Sequence, residues 1–132
     1  MITADGDIVH DVVFAHPIDR VWAALIDRDA ISKWLMVTDF APEVGRSFTL
    51  DARPSGDLWQ AKVLAIEPPH RLVWEWTLDG APTTVTITLQ PEGSGTRLHL
   101  DHTNLAGETQ RNVDLGWPEK FADLDVLLKG NA

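Results

Sequence analysis

The chain changes its hydrophobic period twice, and each change marks a new kind of element. Residues 7–14 are rich in Val and Ile, with Ile8, Val12 and Phe14 on one side and Asp7 and Asp11 on the other, the spacing of a strand. Val9 and Val13 blur that alternation. Pro17 suits a first helical position, and Ile18, Val21, Trp22 and Leu25 follow at helical intervals, which predicts a short amphipathic helix. A second short helix is predicted from Asp29, with Ile31, Trp34 and Leu35 as its apolar face. From Gly45 the period becomes two. Turn signals recur at 54–57, 68–70, 79–80 and 91–95, so five successive antiparallel strands are expected. Residues 116–129 return to helical spacing, with Trp117, Phe121, Leu124 and Leu128 on one side and Glu119, Asp123 and Asp125 on the other. Pro118 lacks an N–H and fits only a first turn, so this helix is expected to begin there and to stop at Gly130.

Side-chain parity in the later strands shows what the sheet must do. Leu72, Trp74, Trp76 and Leu78 point one way, and Glu75, Thr77 and Asp79 the other. Val85, Ile87 and Leu89 oppose Thr84, Thr86, Thr88 and Gln90. Leu98 and Leu100 share a face with His102, while Arg97, His99, Asp101 and Thr103 take the opposite one. A sheet that is wet on one face and apolar on the other is antiparallel, and its apolar face needs a cover. Only the C-terminal helix is long enough. The fold class is therefore α+β: a curved six-stranded sheet wrapped around one long helix, with two short helices between strands one and two. A helix about 10 Å wide cannot fill the whole concavity of a twisted sheet. The remaining space is either plugged by side chains or open as a ligand cavity.

Composition narrows the functional classes. The 132 residues are 44% hydrophobic and 23% charged, which places residues 1–132 among ordinary globular chains as one domain. The absence of cysteine removes disulfides, thiolate metal sites and a cysteine nucleophile. The first ten residues carry Asp5 and Asp7 and no basic region before an apolar run, so no secretory signal is expected and the cytoplasm is the expected compartment. No apolar run approaches the length of a membrane span. A net charge of −9 argues against nucleic acid, whose binding rests on Lys and Arg neutralising phosphates.

Several stretches, taken in their order and spacing, resemble one family. They are 17–25 (PIDRVWAAL), 31–35 (ISKWL), 40–50 (FAPEVGRSFTL), 71–76 (RLVWEW), 85–102 (VTITLQPEGSGTRLHLDH), and Gly116-Trp117 followed by spaced leucines. Nearly the whole chain resembles the START-like SRPBCC superfamily, and within it the bacterial proteins similar to the C-terminal domain of the heat-shock-protein-90 ATPase activator, the Aha type. Arg46, where the family usually has a second glycine, and Pro118 after the Gly-Trp pair depart from the pattern. The resemblance implies a helix-grip fold, like that of the birch pollen allergen, and a cavity. It implies no single chemistry, because members bind lipids, sterols, polyketides or plant hormones and some cyclise polyketides.

Candidate chemistry concentrates on the inner face. Parity places His102 beside Leu98 and Leu100, either as a hydrogen-bonded core histidine or as an orienting or acid/base group in the cavity. Asp101 cannot partner it, because strand neighbours point to opposite faces. His99 and His102 diverge, and His10 and His16 straddle a strand-to-helix junction, so no metal site is expected. No catalytic triad and no cofactor motif is visible. The chain has six tryptophans and no tyrosine. Trp74 and Trp76, with Phe48, Trp117 and Phe121, would give an aromatic lining. Trp59 joins that side only if a bulge separates it, Ala61 and Val63 from Leu64 and Ile66. The candidate ligand-binding set is therefore Phe48, Trp59, Trp74, Trp76, Val85, Ile87, Leu98, Leu100, His102, Trp117 and Phe121. Binding of a small hydrophobic or aromatic molecule by a monomer or homodimer is the first expectation, ahead of a polyketide-cyclase-like enzyme using His102. A co-chaperone role ranks third, because the family's established co-chaperones carry a further N-terminal domain and this chain starts almost at its first strand.

Overall fold

The computed structural model describes residues 1–130. The elements run β1 (Ile8–Phe14), α1 (Ile18–Ile26), α2 (Arg28–Trp34), β2 (Val37–Thr38), β3 (Ser47–Asp51), β4 (Leu58–Glu67), β5 (Arg71–Leu78), β6 (Ala81–Glu92), β7 (Gly95–Thr103) and α3 (Gly107–Gly130). All strands join one antiparallel sheet in the order β1-β7-β6-β5-β4-β3-β2. The only connection that leaves the sheet between non-neighbouring strands runs from β1 through α1 and α2 to the far edge. This is the α+β helix-grip arrangement, with one strand more than the six expected. The addition is β2, where Val37 pairs with Asp51 and Thr38 with Leu50. Two residues cannot display a period of two. Side-chain bonding holds β2 instead: Thr38 Oγ1 donates to the Thr49 carbonyl at 2.6 Å and accepts from the Phe40 N–H at 3.1 Å.

The register of β4 on β5 shifts between Val63 and Ala65. Upstream of that bulge Ala61 pairs with Trp76 and Val63 with Trp74; downstream Ile66 pairs with Leu72. The extra residue, Leu64, stays exposed, while Trp59, Ala61 and Val63 before it and Ile66 after it pack against the core.

The long helix begins at Gly107, not at Pro118. The proline argument fails because the defect is mended locally. Pro118 cannot donate to the Asp114 carbonyl, four residues back, but His10 Nε2 lies 3.2 Å from that oxygen and 3.0 Å from the Asp114 carboxylate. The Met1 amine also lies 3.2 Å from His10 Nε2 and donates to the Asp114 carboxylate, so the N-terminus and strand β1 together cover this part of the helix. His10→Ala is expected to lower stability by about 1 kcal/mol in urea denaturation, and by clearly less in a Pro118→Ala background, where the helix regains its own N–H. Equal losses in both backgrounds would show that His10 acts elsewhere.

Most of the inner face beneath α3 is buried and apolar. Leu72, Trp74, Trp76, Leu78, Val85, Ile87, Leu89, Leu98, Leu100 and His102 are buried, as are Trp117, Phe121, Leu124 and Leu128 on the helix. Arg20 of α1 donates to the Leu128 carbonyl and ties down the last turn. Trp34 of α2 donates its indole N–H to the Ala24 carbonyl at 3.0 Å and stacks on Phe121 with centroids 6.5 Å apart.

Candidate ligand cavity

A run of aromatic rings crosses the concave face and separates its filled part from its open part. Phe40 meets Phe48 edge-on at 5.1 Å, Phe48 meets Trp74 at 5.7 Å, and Trp74 meets Trp76 at 5.6 Å. Around Phe48, Trp74 and Ile87 the leftover space is only about 10 Å³, too little for more than one water. This part of the concavity is plugged.

Beyond Trp76 the packing opens into a cavity of about 380 Å³. Trp59, Trp76 and Leu78 form its sheet wall, Leu35 and Met36 close the α2 end, and Thr109, Asn112, Val113, Gly116, Trp117 and Lys120 of α3 face them. Asp57 and Asp79 stand at the loops. Trp59 lies edge-on to Trp76 at 5.7 Å and 86°, and Trp117 does so at 6.3 Å and 80°. Asp79, in the left-handed region at φ 53° before Gly80, accepts a hydrogen bond from the Thr109 hydroxyl, joining the β5–β6 turn to the start of α3. Mostly apolar walls with a few polar groups are usual for small-molecule sites.

His102 lies behind this wall. It is fully buried and stacks on Trp76 at 5.6 Å and 11°. An indole N–H only donates, so the Trp117 Nε1 bond of 3.2 Å makes His102 Nδ1 an acceptor. The ring proton then sits on Nε2 and is donated to Thr83 Oγ1 at 2.8 Å, and that hydroxyl donates to the Trp76 carbonyl at 2.7 Å. Every polar side-chain atom of this Trp117–His102–Thr83 relay is satisfied, which ties the Trp117 indole to the sheet. Burial pushes the His102 pKa from 6.5 down to about 3, so the ring is neutral at ordinary pH. The Trp76 Nε1 is buried and has no acceptor among the described residues.

The structure divides the eleven candidate residues into three groups. Trp59, Trp76 and Trp117 line the cavity. Phe48, Trp74 and Ile87 surround the residual void. Val85, Leu98, Leu100, His102 and Phe121 are buried and border neither space. Part of the lining went unnamed. Leu78 shares the parity of Trp76, and Val113 stands one helical turn before Trp117, so both carried a readable signal. Asp57, Thr109 and Asn112 did not, because their approach depends on a loop and on a helix start that the sequence misplaces. On the outer face His99 bridges Asp11 at 3.0 Å and Asp101 at 3.1 Å through opposite ring nitrogens. Among the described residues no group of three His, Asp or Glu is placed to hold a metal ion. Nor is any helix of the described residues long and apolar enough to cross a membrane.

A curled antiparallel sheet gripping a C-terminal helix, with an indole-walled space beside it, defines a helix-grip protein of the SRPBCC class. Residues 15–129 match the family described as Activator of Hsp90 ATPase homolog 1-like protein, and the chain belongs to that family. It is 32% identical to protein MLL2253 of Mesorhizobium loti, with a TM-score of 0.86 over 96% of this chain and 98% of that one. Protein BH1534 of Bacillus halodurans is 27% identical, with a TM-score of 0.79 over 92% and 96% of the two chains. The Aha1 dimer of Colwellia psychrerythraea, 18% identical with a TM-score of 0.85 over 96% and 98%, shares the fold. No curated protein matches the chain.

Proposed function

We propose that this chain binds a small, largely apolar or aromatic molecule in the cavity between β4, β5 and the front half of α3. The observation that carries this reading is the contrast within one concave face. Side chains fill the Phe48–Trp74 end down to about 10 Å³, while about 380 Å³ stays open beside Trp76. A chain that only needed a core would close both. Burying about 300 Å² of apolar ligand contributes about 7.5 kcal/mol, and association costs at least about 4, so affinities between millimolar and micromolar are expected.

Titration with the neutral fluorophore N-phenyl-1-naphthylamine tests this reading. Saturable quenching of tryptophan emission is expected for the wild type, and Trp76→Ala is expected to abolish it. Unchanged affinity in that variant would count against binding at this site.

A cyclase-like reading through His102 has less support, since the ring is neutral, has both nitrogens occupied and is screened from the cavity by Trp76 and Trp117. The family description names Hsp90 ATPase activation, and an ATPase assay with that chaperone separates this reading from the cavity reading. The dimer reported for the Colwellia protein leaves a monomer or a homodimer open for this chain.

A further inference from the structure

We infer that the molecule this cavity takes is an amphipathic carboxylic acid in its anionic form, and that the Lys120 ammonium holds the charged end. This deepens the cavity reading above and rests on it. Along α3 the residues that face the space are Thr109, Asn112, Val113, Gly116, Trp117 and Lys120, which recur every three or four positions and so form one stripe of the helix. Lys120 is the only charge on that stripe. It is half-buried, and it has no hydrogen bond or ion pair among the described residues. Asp123, one turn on, is exposed and makes no bond to it. Lys33, Lys62 and Arg111 also lack partners among the described residues, but they are exposed, so water solvates them. A cation withdrawn from water without a counter-charge costs free energy, and an anion brought by a ligand offsets that cost.

Charge also sets the direction of the guest. Asp79 accepts from Thr109 at the front of α3, and the antiparallel register that pairs Ala61 with Trp76 carries Asp57 towards the same Asp79-Gly80 turn. The two carboxylates therefore mark one end of the cavity. Lys120 stands eleven residues beyond Thr109, about 16 Å along the helix. That is about twice the screening length at physiological ionic strength, and both aspartates are exposed, so their repulsion reaches the lysine end weakly. The acid lies with its carboxylate at Lys120 and its apolar body beside Trp117, Trp76 and Trp59, pointing towards the acidic turn. The reverse orientation brings like charges together and leaves the lysine unpaired.

The test compares 3-(2-naphthyl)propanoate with 3-(2-naphthyl)propanamide, which has nearly the same shape and no charge, each in competition with N-phenyl-1-naphthylamine. The wild type is expected to prefer the acid about tenfold, equivalent to about 1.4 kcal/mol. Lys120→Met, which keeps an unbranched stem and removes the charge, is expected to bring the acid-to-amide ratio to about one or below, and Lys120→Arg to keep most of the preference. Should the variants fail to fold, the wild type gives the same answer: the methylenes of the bound acid should show nuclear Overhauser contacts to the Lys120 side chain. Equal or reversed wild-type affinities, tighter binding of the cation 3-(2-naphthyl)propylamine, or contacts that put the methylenes beside Thr109 overturn the inference and leave cavity binding standing. A preference for the acid that survives in Lys120→Met overturns the assignment to the lysine. So does failure of all three compounds to displace the fluorophore, whereas failure of the fluorophore itself to bind overturns the cavity reading.

Discussion

At pH 5 the protein is expected to be about 2 kcal/mol less stable than at pH 7, with His102 responsible for most of the difference. Burial lowers the folded-state pKa from 6.5 to about 3, so between those values the unfolded chain binds a proton that the native chain refuses. The contribution is intact above 6.5 and is lost as the pH falls towards 3. Of the other shifted groups, His99 works in the opposite sense at the upper end of the pH 5 to 7 range, and the carboxylates act below it. Burial opposes charge on His99, but the bond from Asp11 and the fields of Asp101 and Asp11 outweigh it and raise that pKa. Its stabilisation is complete below 6.5 and fades only as pH rises. Backbone bonding from Thr49 lowers the Asp39 pKa, and the Arg53 side chain holds Asp51 at about 2, so both lose their effect below the ordinary carboxylate range. His102→Gln can still accept from Trp117 and donate to Thr83 but does not titrate. Its urea midpoint should fall much less between pH 7 and 5, and an undiminished fall would remove His102 from the account.

Trp117→Ala is expected to cost about 4 kcal/mol in urea denaturation followed by far-ultraviolet circular dichroism. The indole is 2% exposed, stacks on Phe121 at 5.6 Å, and provides the donor for His102 Nδ1. Truncation leaves both a void and an unpaired acceptor. Trp117→Phe retains much of the bulk and loses only the N–H, so roughly 1 to 2 kcal/mol is expected from the stranded acceptor. A loss below about 1 kcal/mol for the alanine variant would mean that α3 is held mainly by Phe121, Leu124 and Leu128.

Alternation was enough to reveal the inner face, because burial on one side of a strand leaves a mark at every second residue. Leu72, Trp74, Trp76, Val85, Ile87, Leu98, Leu100 and His102 are all buried on the side their parity indicates. Even the bulge in β4 left a trace, as a clash between two apolar sets. What stayed hidden was non-periodic or remote. β2 is too short for a pattern, and α3 runs on through Pro118, where the Asp114 carbonyl meets a histidine more than a hundred positions away. The cavity was hidden for a further reason. Parity tells which side chains face inward, whereas the space between them depends on how rings such as Phe48 and Trp74 interlock at one end and leave room at the other.

Pro118 divides the rod into two unequal halves. Ahead of it a single large side chain, Trp117, is buried, while behind it Phe121, Leu124 and Leu128 all are. Thr109, Asn112, Val113 and Gly116 all lie in the weaker half. Fraying there disturbs few apolar contacts, so the first half of the rod is expected to open at a lower free energy than the second, which hydrogen exchange of its amides would show.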